Sequence, residues 1–133
     1  MDFKEMKFGD VREVIASRFP EAMVWADLPE DAALKMKWWF ACWFPSSYGC
    51  PCPQMHVLVY FPNNCGASII RHDFSYGASD CLFEVGVVHF TGKDEDSWEL
   101  NYDTPITDDV LGYQSLEEVL ATLKKIEGLK NDW

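Results

Sequence analysis

Hydrophobic periodicity changes twice along this chain, and that change limits the folds open to it. Near the amino terminus Val11, Val14, Ile15, Arg18 and Phe19 follow the i, i+3, i+4, i+7, i+8 spacing of one helical face. Asp10 is the expected cap of that helix, with Glu13 three positions on, and Pro20 its stop. Near the carboxyl terminus Leu116, Val119, Leu120, Leu123 and Ile126 make a second stripe. There Ser115 and Glu118 form an S-x-x-E capping box and Gly128 is the expected terminator. Acids at the start of this helix and Lys124 and Lys125 at its end suit the helix dipole.

Between the two stripes the period falls to two. Leu34, Met36, Trp38, Phe40, Cys42 and Phe44 alternate with Lys35, Lys37, Trp39, Ala41 and Trp43, which predicts a strand over 34–44. Further strands are expected over 55–61 (MHVLVYF), 67–72 (ASIIRH), 82–90 (LFEVGVVHF) and 98–102 (WELNY). The segments between them, PSSYGCPCPQ, PNNCG, DFSYGASD and TGKDEDS, are turn chemistry. Connections this short favour antiparallel neighbours, since a parallel pair needs a crossover of roughly a dozen residues or more. The expected fold is α+β: an antiparallel meander of about five strands flanked by an N-terminal and a C-terminal helix, in two layers. At 133 residues and 48% hydrophobic content, the chain fits a single domain, 1–133, with a core of its own.

Charge is segregated along the same chain. No Asp, Glu, Lys or Arg occurs between Trp38 and Ile70, whereas every charged residue from Asp94 to Leu123 is acidic. A net charge of -11 disfavours direct contact with nucleic acid, whose binding is driven by cationic side chains that release counterions from phosphate. The expected partner is a protein with a basic surface. Helix capping accounts for Glu117 and Glu118 but not for Asp94, Glu95, Asp96, Glu99, Asp103, Asp108 and Asp109. Those residues are the candidate partner-binding surface, where carboxylates would steer association and make it salt-sensitive. The plain alternative is a solvated face that keeps the chain soluble.

The uncharged stretch is interrupted by Pro45, Pro51, Pro53 and Pro62, so no membrane span is expected from it. Its expected strand carries tryptophans on both faces, Trp38 on one and Trp39 and Trp43 on the other. A two-layer fold does not easily bury both sets, so Trp39, Trp43 and Tyr48 are a second candidate contact, with a partner or with another copy of the chain.

Five cysteines form an odd set, and the amino terminus MDFKEMKFGD lacks the basic and apolar regions of a secretory signal. A cytoplasmic protein with reduced cysteines is expected. Cys50, Cys52 and His56 are the weak candidates for a metal site, because C-P-C is tighter than the usual C-x2-C of a zinc centre. Cys81 with His89, and Cys65 with His72, are the thiol and imidazole neighbours in sequence. These histidines fall on expected strands and read as structural. Asp103, Asp108 and Asp109 surround Thr104-Pro105 without EF-hand spacing, and neither GxSxG nor a phosphate-cradling glycine loop is present. No cofactor is expected.

Three segments, FPNNCGASIIRHDFSYG, LFEVGVVHF and YDTPITDDVLGYQSLEEVLATLKKIEGL, carry a resemblance that runs from Phe61 onward. This part of the chain resembles small uncharacterised proteins encoded by phages and prophages of Gram-positive gut bacteria. The class has no assigned activity, so the resemblance implies a setting and brings no catalytic residues. It implies a phage-encoded accessory protein acting against host defence. Together with the acidic surface, the expected function is non-enzymatic protein binding in the host cytoplasm that inhibits a nucleic-acid-handling defence system in the manner of an anti-CRISPR. The alternatives are a small cysteine- or metal-dependent enzyme, or a structural protein of virion assembly.

Overall fold

The computed structural model describes residues 3–27, 52, 55–71, 75–92, 97–101, 104–107 and 110–129. Helix α1 spans Phe8–Arg18 and buries Val11 and Ile15, with Phe19 just beyond its end and Arg18 exposed. Its start differs from the sequence expectation. Lys7 occupies the cap position, and Asp10, one turn inside, accepts a hydrogen bond from the Lys7 amide at 2.9 Å. A carboxylate at the third helical position satisfies an amide at the helix start as well as a cap does, and the sequence pattern does not separate the two roles.

Six strands follow: β1 (Met23–Asp27), β2 (Met55–Tyr60), β3 (Cys65–Arg71), β4 (Phe83–Phe90), β5 (Trp98–Leu100) and β6 (Leu111–Gln114). All pair antiparallel in the order β1-β2-β3-β4-β5, and β6 also pairs with β4. Since β3 takes one edge of β4, the other edge holds both short strands end to end: β5 against Val88–Phe90 and β6 against Phe83 and Val85. Helix α2 (Leu116–Glu127) closes the chain of elements. Ser115 Oγ accepts from the Glu118 amide, and the Glu118 carboxylate accepts from the Ser115 amide, so the expected capping box is present.

The architecture is α+β, with helices before and after an antiparallel meander. The strand expected over 34–44 lies outside the described residues. Two strands were not foreseen: β1, whose MVWAD lacks clear alternation, and β6, whose four residues include Gly112 and the positive-φ Tyr113.

Helix α1 packs on β1 and β2, and α2 on β3, β4 and β6. On this helix-covered face, Val57 and Val59 of β2, Ala67 and Ile69 of β3, and Phe83 and Val85 of β4 meet the two helical stripes. The opposite face is buried as well, with His56, Leu58, Ser68, Ile70 and Val88 all inaccessible or nearly so. Burial on both faces explains why β2 and β3 read as continuous apolar runs. An aromatic cluster closes one end of this second face, where Tyr60 meets Phe90 edge-on at 4.8 Å and Trp25 lies 6.2 Å from Phe90. Gly66 makes that contact possible, because a Cβ there would stand 2.9 Å from the Phe90 ring and collide with the Val59 carbonyl.

Two polar side chains fix the ends of the sheet. Arg71, fully buried at the end of β3, donates to the carbonyls of Phe3 (3.0 Å), Met6 (2.7 Å) and Cys81 (3.3 Å), and its guanidinium lies 4.7 Å over the Phe83 ring. Asn63, in the β2–β3 turn, donates to the carbonyls of Ile126, Glu127 and Leu129 at the end of α2. Replacing Arg71 by Met should cost about 3 kcal/mol or more, because several buried carbonyls lose their donor. Urea melts read that loss, and hydrogen exchange should locate it in residues 3–18; an unchanged midpoint would contradict the role assigned to Arg71.

Candidate functional site

Among the acidic candidates, Glu99 is described and exposed on β5, while Asp94, Glu95, Asp96, Asp103, Asp108 and Asp109 lie outside the described residues. Trp39, Trp43, Tyr48 and Cys50 also lie outside them. His72 lies outside them too, whereas Cys52, His56, Cys65, Cys81 and His89 are placed, and their placement corrects three expectations.

Cys52 is joined to Cys81 by a disulfide across 29 residues, with their Cα atoms 5.7 Å apart. These two cysteines are therefore not reduced. The pair also removes Cys52 from the zinc candidates and Cys81 from pairing with His89, since a disulfide sulfur offers no thiolate. His56 turns into the second face of the sheet with no exposed surface, where its Nε2 is 3.0 Å from Ser68 Oγ. Disulfide connectivity is not deducible from cysteine spacing, and only the fold brings residue 52 beside the β3–β4 connection.

Register creates a different constellation. Cys65 of β3 lies opposite His89 of β4, and His89 opposite Glu99 of β5. Thiol, imidazole and carboxylate thus form one row across three strands, in the order a cysteine hydrolase would use. The environment opposes that chemistry. Cys65 faces the helix-covered core with no exposed surface, its sulfur donates to the Asn63 carbonyl at 3.5 Å, and burial pushes its thiol up to about 11 from an ordinary 9.0. A protonated, inaccessible thiol is a packing residue.

The large hydrophobic side chains most open to solvent are two tyrosines and a leucine. Tyr76 and Tyr113 are each 60% exposed, and Leu100 on β5 is 41% exposed. The tyrosines are far apart in sequence but joined through the main chain, the Tyr113 amide donating to the Tyr76 carbonyl at 3.2 Å. Glycine permits the approach from both sides. A Cβ at Gly112 would stand 2.6 Å from Tyr76 Cβ, and one at Gly77, where φ is +95°, would stand 2.9 Å from Tyr113 Cα. Tyr113 itself has φ +55°, a conformation costing a bulky residue about 1–3 kcal/mol. Glu84 on β4 accepts from the Tyr76 amide at 3.2 Å. Neither tyrosine is among the residues that the sequence singles out. The signal available was a Tyr-Gly pair at 76–77 and a Gly-Tyr pair at 112–113, and nothing in the sequence connects them.

A shallow groove between the helices, lined by Met6, Val14, Arg18, Glu117 and Leu120, is bridged by Arg18 and Glu117 at 3.9 Å. Both side chains are exposed, so the pair adds little stability. No helix among the described residues is long and apolar enough to cross a membrane. Comparison finds no matching family model, no similar curated protein and no similar solved structure.

Two measurements check these assignments. Reduction, or Cys52→Ser, should lower stability by about 3 to 4 kcal/mol through the freed loop, read as a drop in the urea midpoint; identical melts with and without reductant would refute the cross-link. For Cys65, the unfolded thiol ionises from about pH 9 while the folded one keeps its proton to about 11. Stability should therefore fall as pH rises through that window, with no contribution from this group below it. Cys65→Ala should remove that part of the slope.

Proposed function

We propose that this protein acts without catalysis, by binding a second protein whose surface is basic. The observation that carries this reading is the arrangement along the outer edge of β4. There β5, which carries Glu99, and β6 lie end to end, with Asp103, Asp108 and Asp109 between them in the sequence, and β6 leads directly into the capped first turn of α2. Glu99 on β5 and Glu117 and Glu118 at the start of α2 are exposed. On a chain of net charge -11, exposed carboxylates set up a field that draws a basic surface in and that salt weakens. The surroundings of Cys65 support the same reading, since they withhold the thiol from solvent.

Following the resemblance to phage-encoded proteins, the proposed partner is a host nucleic-acid-handling defence complex of the CRISPR-effector kind. The protein occupies a groove that otherwise takes phosphate, which makes it an inhibitor by competition. The proposed compartment is the host cytoplasm. Of the disulfide's two ends, Cys81 is 6% exposed and Cys52 half-buried, so a reductant meets it from the Cys52 side.

Affinity capture from the host at low salt, identified by mass spectrometry and repeated with the purified partner, provides the test. Glu99→Lys combined with charge reversal at Asp94, Glu95, Asp108 and Asp109 should weaken binding by about tenfold or more and flatten its salt dependence. Unchanged affinity together with unchanged salt dependence would refute the proposal.

A further inference from the structure

We infer that Tyr76 and Tyr113 are the anchor of the interface, and that they receive arginine side chains of the basic partner. This rests on the reading of a basic partner given above and names the chemistry by which that partner is held.

Three observations converge on these residues. The two side chains are among the most exposed large hydrophobic groups described, at 60% each, although tyrosine ordinarily covers much of its ring. Their backbones are locked together by the Tyr113 to Tyr76 hydrogen bond, by the two glycine approaches and by the Glu84 carboxylate on the Tyr76 amide. The fold therefore holds two exposed aromatic residues side by side on a rigid base, and it does so with Tyr113 in the left-handed region. Rigid tyrosines make large contact area at low entropic cost, the property that enriches them at binding hot spots.

Charge selects the occupant. Between His72 and Leu123 the sequence has twelve acidic residues against one basic residue, Lys93. A tyrosine face carries the negative lobe of the ring quadrupole, and in an acidic field it favours a cation. Arginine fits better than lysine, because its planar guanidinium stacks on a ring while its N–H groups remain free to meet carboxylates. Glu84 at the base of Tyr76 and Asp80 in the adjoining turn supply carboxylates close to the pair in sequence and structure.

The test uses the full chain and two defined probes, octa-arginine and octa-lysine, titrated at low salt and followed by NMR. In the unmodified protein the ring signals of Tyr76 and Tyr113 should shift with octa-arginine and much less with octa-lysine. The arginine peptide should bind about five- to tenfold more tightly. In the Tyr76→Ala, Tyr113→Ala double variant that preference should collapse to near one, and in the Tyr76→Phe, Tyr113→Phe variant, which keeps both ring faces, it should persist. Ring signals that ignore octa-arginine, or an alanine variant that keeps the full preference, would overturn the anchor while leaving the basic-partner reading intact, provided both peptides still bind and are released by salt. Failure of both peptides to bind at low salt would overturn both.

Discussion

The rest of the structure depends on what surrounds the guanidinium of Arg71. Burying a cation in a protein interior costs several kcal/mol unless its donors are met by acceptors in good geometry. Here the acceptors come from the amino-terminal segment, at Phe3 and Met6, and from Cys81 beyond the end of β3. The segment ahead of α1 must therefore lie across the end of β3, which helps set α1 on the sheet. The same side chain holds the carbonyl of a cysteine whose sulfur is tied to Cys52. From Cys81 the constraint passes through the short turn at Ala78–Asp80 to Gly77 and Tyr76.

Much of the middle of this fold is legible in the sequence because β2, β3 and β4 are long, apolar and separated by turn residues. Helix α2 is legible because Ser115, Glu118 and Gly128 mark its ends by local chemistry. The unforeseen features depend on distant residues. Strand β6 is four residues long and exists because Phe83 and Val85 offer an edge. Arg71 looks in sequence like the polar end of a strand, and nothing local distinguishes a solvated arginine from one buried on backbone carbonyls. Asp10 was misread for the opposite reason, since two local roles share one pattern.

The candidate site shows the same division more sharply. Sequence proximity paired Cys81 with His89 and Cys65 with His72, whereas strand register put Cys65, His89 and Glu99 in line. Neither arrangement is enough for nucleophilic chemistry, because reactivity follows ionisation and access, and Cys65 has neither. The tyrosines reverse the lesson: their residue types drew no notice in sequence, and their exposure and backbone locking give them meaning.

Asn63 carries a consequence for the order in which the chain folds. A helix commonly ends on groups within its own last turn, but here the β2–β3 turn supplies an amide to three carbonyls more than sixty residues downstream. The same side chain accepts from the Cys65 amide through Oδ1, so its orientation is set by the hairpin before α2 arrives. During synthesis the hairpin emerges first, with its amide hydrogens facing water. The carboxyl-terminal helix then docks onto a receptor already shaped for its end, and its last turn, closed locally by the Gly128 and Leu129 amides, is completed by tertiary assembly.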